Sequence, residues 1–234
     1  MAHFEQLFAH YDRLVLFDTE TTGLSYSRDE IIEFAAVAVE RQDGAASVVQ
    51  QYDSLVALSP GGFVPPKIQA LTGISTQDLR ERGVRKERVC RDIAELVGGR
   101  TLLLAYNAHF DLSFLYYLLL RSGDPAILKG KDKLDLLTVY RDRHSYPHRL
   151  SNAITQYGLT GQVANSHRAI DDVLATLAVM EAMEEEKADL QCYVNLFGYN
   201  AKYGIEGKAI GSVTYRPQGY DPVRPLYEME AVTC

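Results

Sequence analysis

VLFDTETTGL, residues 15–24, is the stretch on which the fold turns. Leu14 through Phe17 form a continuous apolar run, the pattern of a strand buried on both faces. The run ends at Asp18, then Thr19 and Glu20, and the chain turns at Gly23. Alternate residues of a strand project to the same side, so Asp18 and Glu20 point together if the strand extends that far. Two carboxylates on one face repel each other unless a cation lies between them. A divalent metal held by oxygen ligands, Mg²⁺ or Mn²⁺, is the economical explanation. The plainer alternative is two exposed acids at a strand end. Thr19, Thr22, Gly23 and Leu24 belong to the same stretch, and the glycine lets backbone approach a ligand closely.

Outward from that strand, read as residues 13–19, IIEFAAVAVE (31–40) and VVQQYDSLVAL (48–58) read as two more. QDG (42–44) between them is a hairpin signal. SPGGFVPP (59–66) is a loop, STQDL opens a helix with Ser75 as cap, and RKERVCRDIAELVGG is a helix closed by two glycines. TLLLAYN (101–107) is a fourth strand, followed by a helix that Gly123 ends. LDLLTVYR (134–141), RLSNAITQYGL (149–159) and residues 166–187, capped by Ser166, read as helices. A hairpin followed by alternating strands and helices predicts an α/β layer fold with a mixed sheet. Beyond residue 187 the texture changes. Residues 188–234 are rich in Gly, Tyr and Pro, hold no histidine, and read as an extension of unknown role lying over the core, outside the chemistry.

Composition narrows the class. The chain has 234 residues, 47% hydrophobic and 24% charged, enough for one substantial globular core. Its three cysteines stand at no metal-ligand spacing, which suits a reducing cytoplasm. The N-terminal residues lack the basic flank and apolar run of a signal peptide, and no stretch approaches a membrane span. The net charge of −7 argues weakly against nucleic acid unless the acidity is local.

Two further motifs make it local. NAHFDLSFL (107–115) follows a strand and opens a helix, so Asp111 lies in the first helical turn and faces the strand ends, where α/β sheets bind ligands. Complementing the helix dipole would be its ordinary use. SHRAIDD (166–172) places His167 at a helix start and Asp172 inside it, with Asp171 the more exposed rival. In this order the motifs resemble the DEDDh, or DnaQ-like, 3′→5′ exonucleases of the ribonuclease H-like fold. That family includes the proofreading (epsilon) subunit of DNA polymerase III and ribonuclease T. The resemblance covers about residues 12–182, and ALTGIS (70–75) also resembles a connecting segment of that family.

The resemblance implies a ribonuclease H-like mixed sheet flanked by helices, an exonuclease domain over residues 1–187, and an extension over 188–234. It implies that Asp18, Glu20, Asp111 and Asp172 hold two divalent cations, Mg²⁺ or Mn²⁺, and that His167 is the general base. Asn107, His109 and Phe110 would meet the terminal nucleotide. The substrate would be a single-stranded 3′ end of DNA or RNA, releasing 5′-mononucleotides. A DNA polymerase or a second copy of the chain would be partners. An RNA-trimming role and a non-catalytic nucleic-acid-binding role are the alternatives. For phosphate contacts, RDRHSYPHR (141–149) gathers Arg141, Arg143, His144, His148 and Arg149 in an expected loop near the site. The basic run at 80–91 is interrupted by Glu81 and Glu87 and reads as ordinary surface, as does the acidic run 184–187.

Overall fold

The protein, as a computed structural model, is described for residues 4–199, 210 and 213–229. A short helix α1 (Glu5–Phe8) precedes strands β1 (Arg13–Thr21), β2 (Ile31–Gln42) and β3 (Ala45–Leu55). Three helices follow: α2 (Pro66–Thr72), α3 (Thr76–Arg82) and α4 (Lys86–Leu96). Then come β4 (Thr101–Ala105), α5 (Ala108–Ser122), β5 (Asp132–Asp135), α6 (Leu136–Arg143), α7 (Leu150–Gln156) and α8 (Ala169–Glu186). The five strands form one mixed sheet in the order β3-β2-β1-β4-β5, with the first three antiparallel and the last three parallel.

The hairpin between β2 and β3 turns on Asp43 and Gly44, at φ of 50° and 83°. A two-residue turn of this kind lets the next strand start at once. For this reason β3 begins at Ala45 and ends at Leu55, three residues earlier than the 48–58 expected from its apolar content. Helix α2 and strand β5 of the core were not foreseen. Helix α2 starts directly after the proline loop, with Pro66 in the first-turn position that tolerates a missing N–H. Strand β5, DKLD, has no apolar run and exists through its parallel pairing with β4. The helix expected over 134–141 is therefore α6, which starts two residues later.

Strand alternation sorts the core into two layers. Leu14, Leu16, Ala35 and Val37 pack with Val173, Leu177 and Met180 of α8. Val15, Phe17, Ala36 and Ala38 pack with Ile93 of α4 and with Leu112 and Leu115 of α5. By the same parity Asp18 and Glu20 continue the α8 face of β1, and Thr19 continues the α5 face. The described residues beyond 187 pack against this core. They add a short turn of helix (Leu190–Tyr193) and a separate parallel pair, β6 (Leu196–Tyr199) with β7 (Thr214–Pro217). Tyr193, Phe197 and Leu226 are almost fully buried in the two main clusters. Each such side chain contributes about 1.5–3 kcal/mol of burial, so the segment shares the core. No helix among the described residues is long and apolar enough to cross a membrane.

Candidate active site

Strand β1 runs through Glu20 before its register shifts at Thr21, so Asp18 and Glu20 do share a face. Asn107, in the left-handed region at φ 70°, turns the chain out of β4 and into α5. That turn brings Asp111 to the end of β1, where its Oδ1 accepts hydrogen bonds from the Thr19 N–H (3.0 Å) and hydroxyl (2.7 Å). The third segment enters from α8. His167 is exposed and left-handed at φ 58°. Asp172 is buried and accepts a hydrogen bond from Asn165 Nδ2 at 2.7 Å. One ligand atom each from Glu20, His167 and Asp172 lie within 4.8 Å of one another. Asp18, Glu20, Asp111, His167 and Asp172 all line a single open cleft of about 710 Å³.

Ser166 does not cap α8, contrary to the sequence expectation. Its hydroxyl donates to Asp171, and Arg168 takes the cap position. The cap acceptor comes instead from the neighbouring strand. Glu33, fully buried on β2, accepts from the Ala169 N–H at 2.8 Å and from the Arg168 guanidinium. Charge-assisted pairing of this kind fixes the helix start, and with it the position of His167 and Asp172. Glu33 and Asn165 are the supporting residues that sequence reasoning missed. The one available signal for Glu33 was a lone carboxylate inside the apolar run of β2. Asn165 offered none.

The other candidates divide. Asn107, Phe110 and Thr19 line the cleft, although the Thr19 hydroxyl is committed to Asp111. Thr22, Gly23, Leu24 and His109 do not line it. Thr22 bonds the Glu30 N–H, and Leu24 is 85% exposed. Gly23 is small for the sake of Asp29, whose Oδ2 would lie 2.5 Å from an added Cβ. His109 Nδ1 instead pairs with the Tyr215 hydroxyl at 3.1 Å. Of the basic stretch 141–149, residues 141–143 end α6 rather than lie in a loop. Arg141, His148 and Arg149 face the cleft. Arg143 turns away to Asp189 and to the carbonyls of Met183 and Lys187, and His144 to Tyr157 and Glu186.

The electrostatics of the acidic wall are unbalanced. Burial, then the charges of Asp111, Asp172 and Glu20, hold the Asp18 carboxyl well above the usual carboxylate range. Burial and the charges of Asp172 and Glu33 push Glu20 up to about 8. Burial lifts Asp111 to about 7 despite its two bonds from Thr19. Asp172 is raised by burial too, against the bond from Asn165. The nearby guanidinium of Arg168 is occupied by Glu33. Four carboxylates whose charged forms are disfavoured line one cleft and offer oxygen donors of the kind that hard divalent cations take, with Glu20 and Asp172 converging beside His167.

The exonuclease family model of the RNase T group matches residues 15–180. DNA polymerase III subunit epsilon of Treponema pallidum (strain Nichols) is 31% identical over 187 residues, covering 77% of this chain and 81% of that protein. The 3′-5′ exonuclease DinG of Bacillus subtilis (strain 168) is 30% identical over 165 residues, and DNA polymerase III PolC-type of the same strain is 33% identical over 185. These matches take in 63% and 75% of this chain but only 17% and 12% of the longer relatives. Among solved structures, E. coli Exonuclease I in complex with a dA16 oligonucleotide superposes with a TM-score of 0.68 at 22% identity, over 76% of this chain and 42% of that one. At that identity the likeness speaks for the fold.

Proposed function

The chain belongs to the DnaQ-like 3′→5′ exonuclease family and is a 3′→5′ exonuclease, and on that premise we propose that it uses two divalent cations, Mg²⁺ or Mn²⁺, to release 5′-mononucleotides from single-stranded 3′ ends of DNA. The observation that carries the proposal is the convergence of Asp18, Glu20, Asp111, Asp172 and His167 on one open cleft. The four carboxylates would hold the cations, which supply positive charge to the attacking and leaving oxygens of the phosphodiester. Thr19 keeps Asp111 turned inward, and Asn165 does the same for Asp172. A ring nitrogen of His167 faces the carboxylates of Glu20 and Asp172 and takes the proton from the attacking water. The water oxygen bonds to phosphorus, and the bond from phosphorus to the 3′ oxygen of the penultimate nucleotide breaks. Phe110, in the first turn of α5, offers an aromatic edge to the terminal nucleotide.

The match to an epsilon subunit along 81% of its length supports a second element of the proposal, that the enzyme works beside a DNA polymerase. The test uses 5′-labelled single-stranded DNA and RNA, each with Mg²⁺, Mn²⁺ or chelator. Stepwise shortening from the 3′ end of DNA, dependent on metal and lost in Asp18→Ala by a factor of about 10³ or more, is expected. Full activity in chelator, or wild-type rates in Asp18→Ala, would overturn the metal assignment. Preferential degradation of RNA would overturn the choice of DNA.

A further inference from the structure

The cleft has two unlike walls. One carries the carboxylates. The other is made by α6 and residues 144–149, with Tyr106 from just beyond β4, and it is basic and aromatic: Tyr106, Arg141, Tyr146, His148 and Arg149. At about 710 Å³ the cleft lies in the upper part of the range that takes a drug-sized ligand, about 300–1,000 Å³. It therefore extends beyond a single reacting phosphate.

Helix α6 splits its arginines between two jobs. Residues two apart on a helix point about 200° apart. Arg143 is consumed by the chain itself, on Asp189 and two backbone carbonyls. Among the described residues Arg141 makes no hydrogen bond or ion pair, and it faces the cleft half-buried. The Arg149 guanidinium is likewise without a partner among the described residues, and exposed. Free cations opposite a carboxylate wall are what a polyanion needs in order to enter an otherwise repulsive cleft.

The aromatic part is braced. His148 Nε2 donates to the His144 carbonyl (2.9 Å), and the Tyr106 hydroxyl donates to the His148 carbonyl (2.8 Å). Tyr146 stands edge-on to His148 at 5.7 Å, and His148 stands edge-on to Tyr140 at 5.9 Å. Tyr146 nonetheless stays 84% exposed. The fold thus holds a large ring in place without burying it, which gains little stability for the fold and suits a stacking platform.

Taking the exonuclease reading as given, we propose that this wall is a subsite for the second nucleotide from the 3′ end, with its base stacked on Tyr146 and the phosphate on its 5′ side paired with Arg141 and Arg149. The ligand class is a single-stranded oligonucleotide, because a base still paired in a duplex has no free face for Tyr146.

The test compares two substrates: a single-stranded oligodeoxynucleotide, and the p-nitrophenyl ester of thymidine 5′-monophosphate, which has no second nucleotide. The ratio of kcat/KM for the oligonucleotide to that for the ester should fall about tenfold in Tyr146→Ala and in Arg141→Gln, mostly through KM. Tyr146→Phe should keep the wild-type ratio, and an abasic residue at the second position should cost wild type as much as the ring's loss while adding nothing in Tyr146→Ala. The slope of log KM against log salt should drop by about 0.7 in Arg141→Gln. A ratio that stays at the wild-type value, or falls as far in Tyr146→Phe as in Tyr146→Ala, overturns the subsite. Failure of the wild type to cleave either substrate overturns the exonuclease reading itself, and the subsite with it.

Discussion

Asp18 and Asp189 are both carboxylates drawn partly out of water by the same chain, and their surroundings treat them oppositely. Burial works against Asp189, but bonds from Lys187 and Tyr227 and the charge of Arg143 outweigh it, and its pKa falls below the ordinary value. Around it Asp142 Oδ2 accepts from the Tyr193 hydroxyl and the Leu226 N–H, and Arg143 bridges α6 to α8 and the chain beyond it; among the described residues only Asp142 Oδ1 and Arg143 Nε of these groups stay buried without a hydrogen-bond partner. Around Asp18 every close charge has the same sign, and the carboxyl is driven up. A cluster that only fastens the chain balances its charges internally. A cluster built to hold something leaves the balance to the ligand.

The contrast can be broken most forcefully at His167. Its replacement by alanine should lower turnover by about 10²–10⁴-fold if it moves the proton in the reaction, with affinity for the oligonucleotide nearly kept. Single-turnover rates in saturating Mn²⁺ measure this. A loss smaller than tenfold would return His167 to the helix start as a structural residue.

The next largest effect is expected at the balanced cluster. Arg143 and Asp189 are 8% and 10% exposed, and removing one partner of a buried pair costs about 3–5 kcal/mol. Arg143→Met should therefore lower the unfolding free energy from denaturant titration by that amount, while the rate per folded molecule stays near wild type. Equal losses of stability and specific rate would mean that the two clusters are not separate.

The third effect is smaller, and its sign distinguishes the clusters. A carboxylate whose folded pKa is raised costs stability above its unfolded pKa, near 4. The cost is absent below that pH and complete above the folded values, about 7 for Asp111 and about 8 for Glu20. The metal-free protein should thus melt at falling temperature from about pH 4 to pH 8, and Mg²⁺ should restore most at the alkaline end. Asp189, with its lowered pKa, contributes stability above pH 4 that is lost as the solution is acidified. Melting curves in chelator and in Mg²⁺, for wild type and Asp18→Asn, measure the first trend. A wild-type decline no steeper than that of Asp18→Asn would show that the acidic wall stores no such imbalance.

The same contrast explains what could be read in the sequence. Asp18 and Glu20 announce themselves because a strand has a period of two, and QDG specifies a turn by local backbone preference. Asp111 and Asp172 stand at helix starts, where a carboxylate can also serve the helix dipole, and only the resemblance of the ordered motifs to a family singled them out. Each of these motifs lies within a few residues of chain. Strand β5 was illegible because its four residues owe their conformation to β4, and Glu33 because its meaning depends on Arg168, 135 residues away. The segment beyond 187 lacked periodicity because turns and isolated contacts hold it: the Gly198 N–H on the Thr138 hydroxyl, Gln218 on the Thr138 carbonyl, Tyr215 on His109. Nothing in residues 141–149 separates the arginine that fastens the chain from the one that faces the cleft until the helix is placed.

The two hydrogen bonds from Thr19 to Asp111 join points 92 residues apart. Helix α5 draws its turns from neighbours in sequence, but the aim of its first turn depends on the pairing of β1 with β4. Long loops of this kind close slowly. On refolding, helical content should return before catalytic competence, and the interval between them times the closing of that loop.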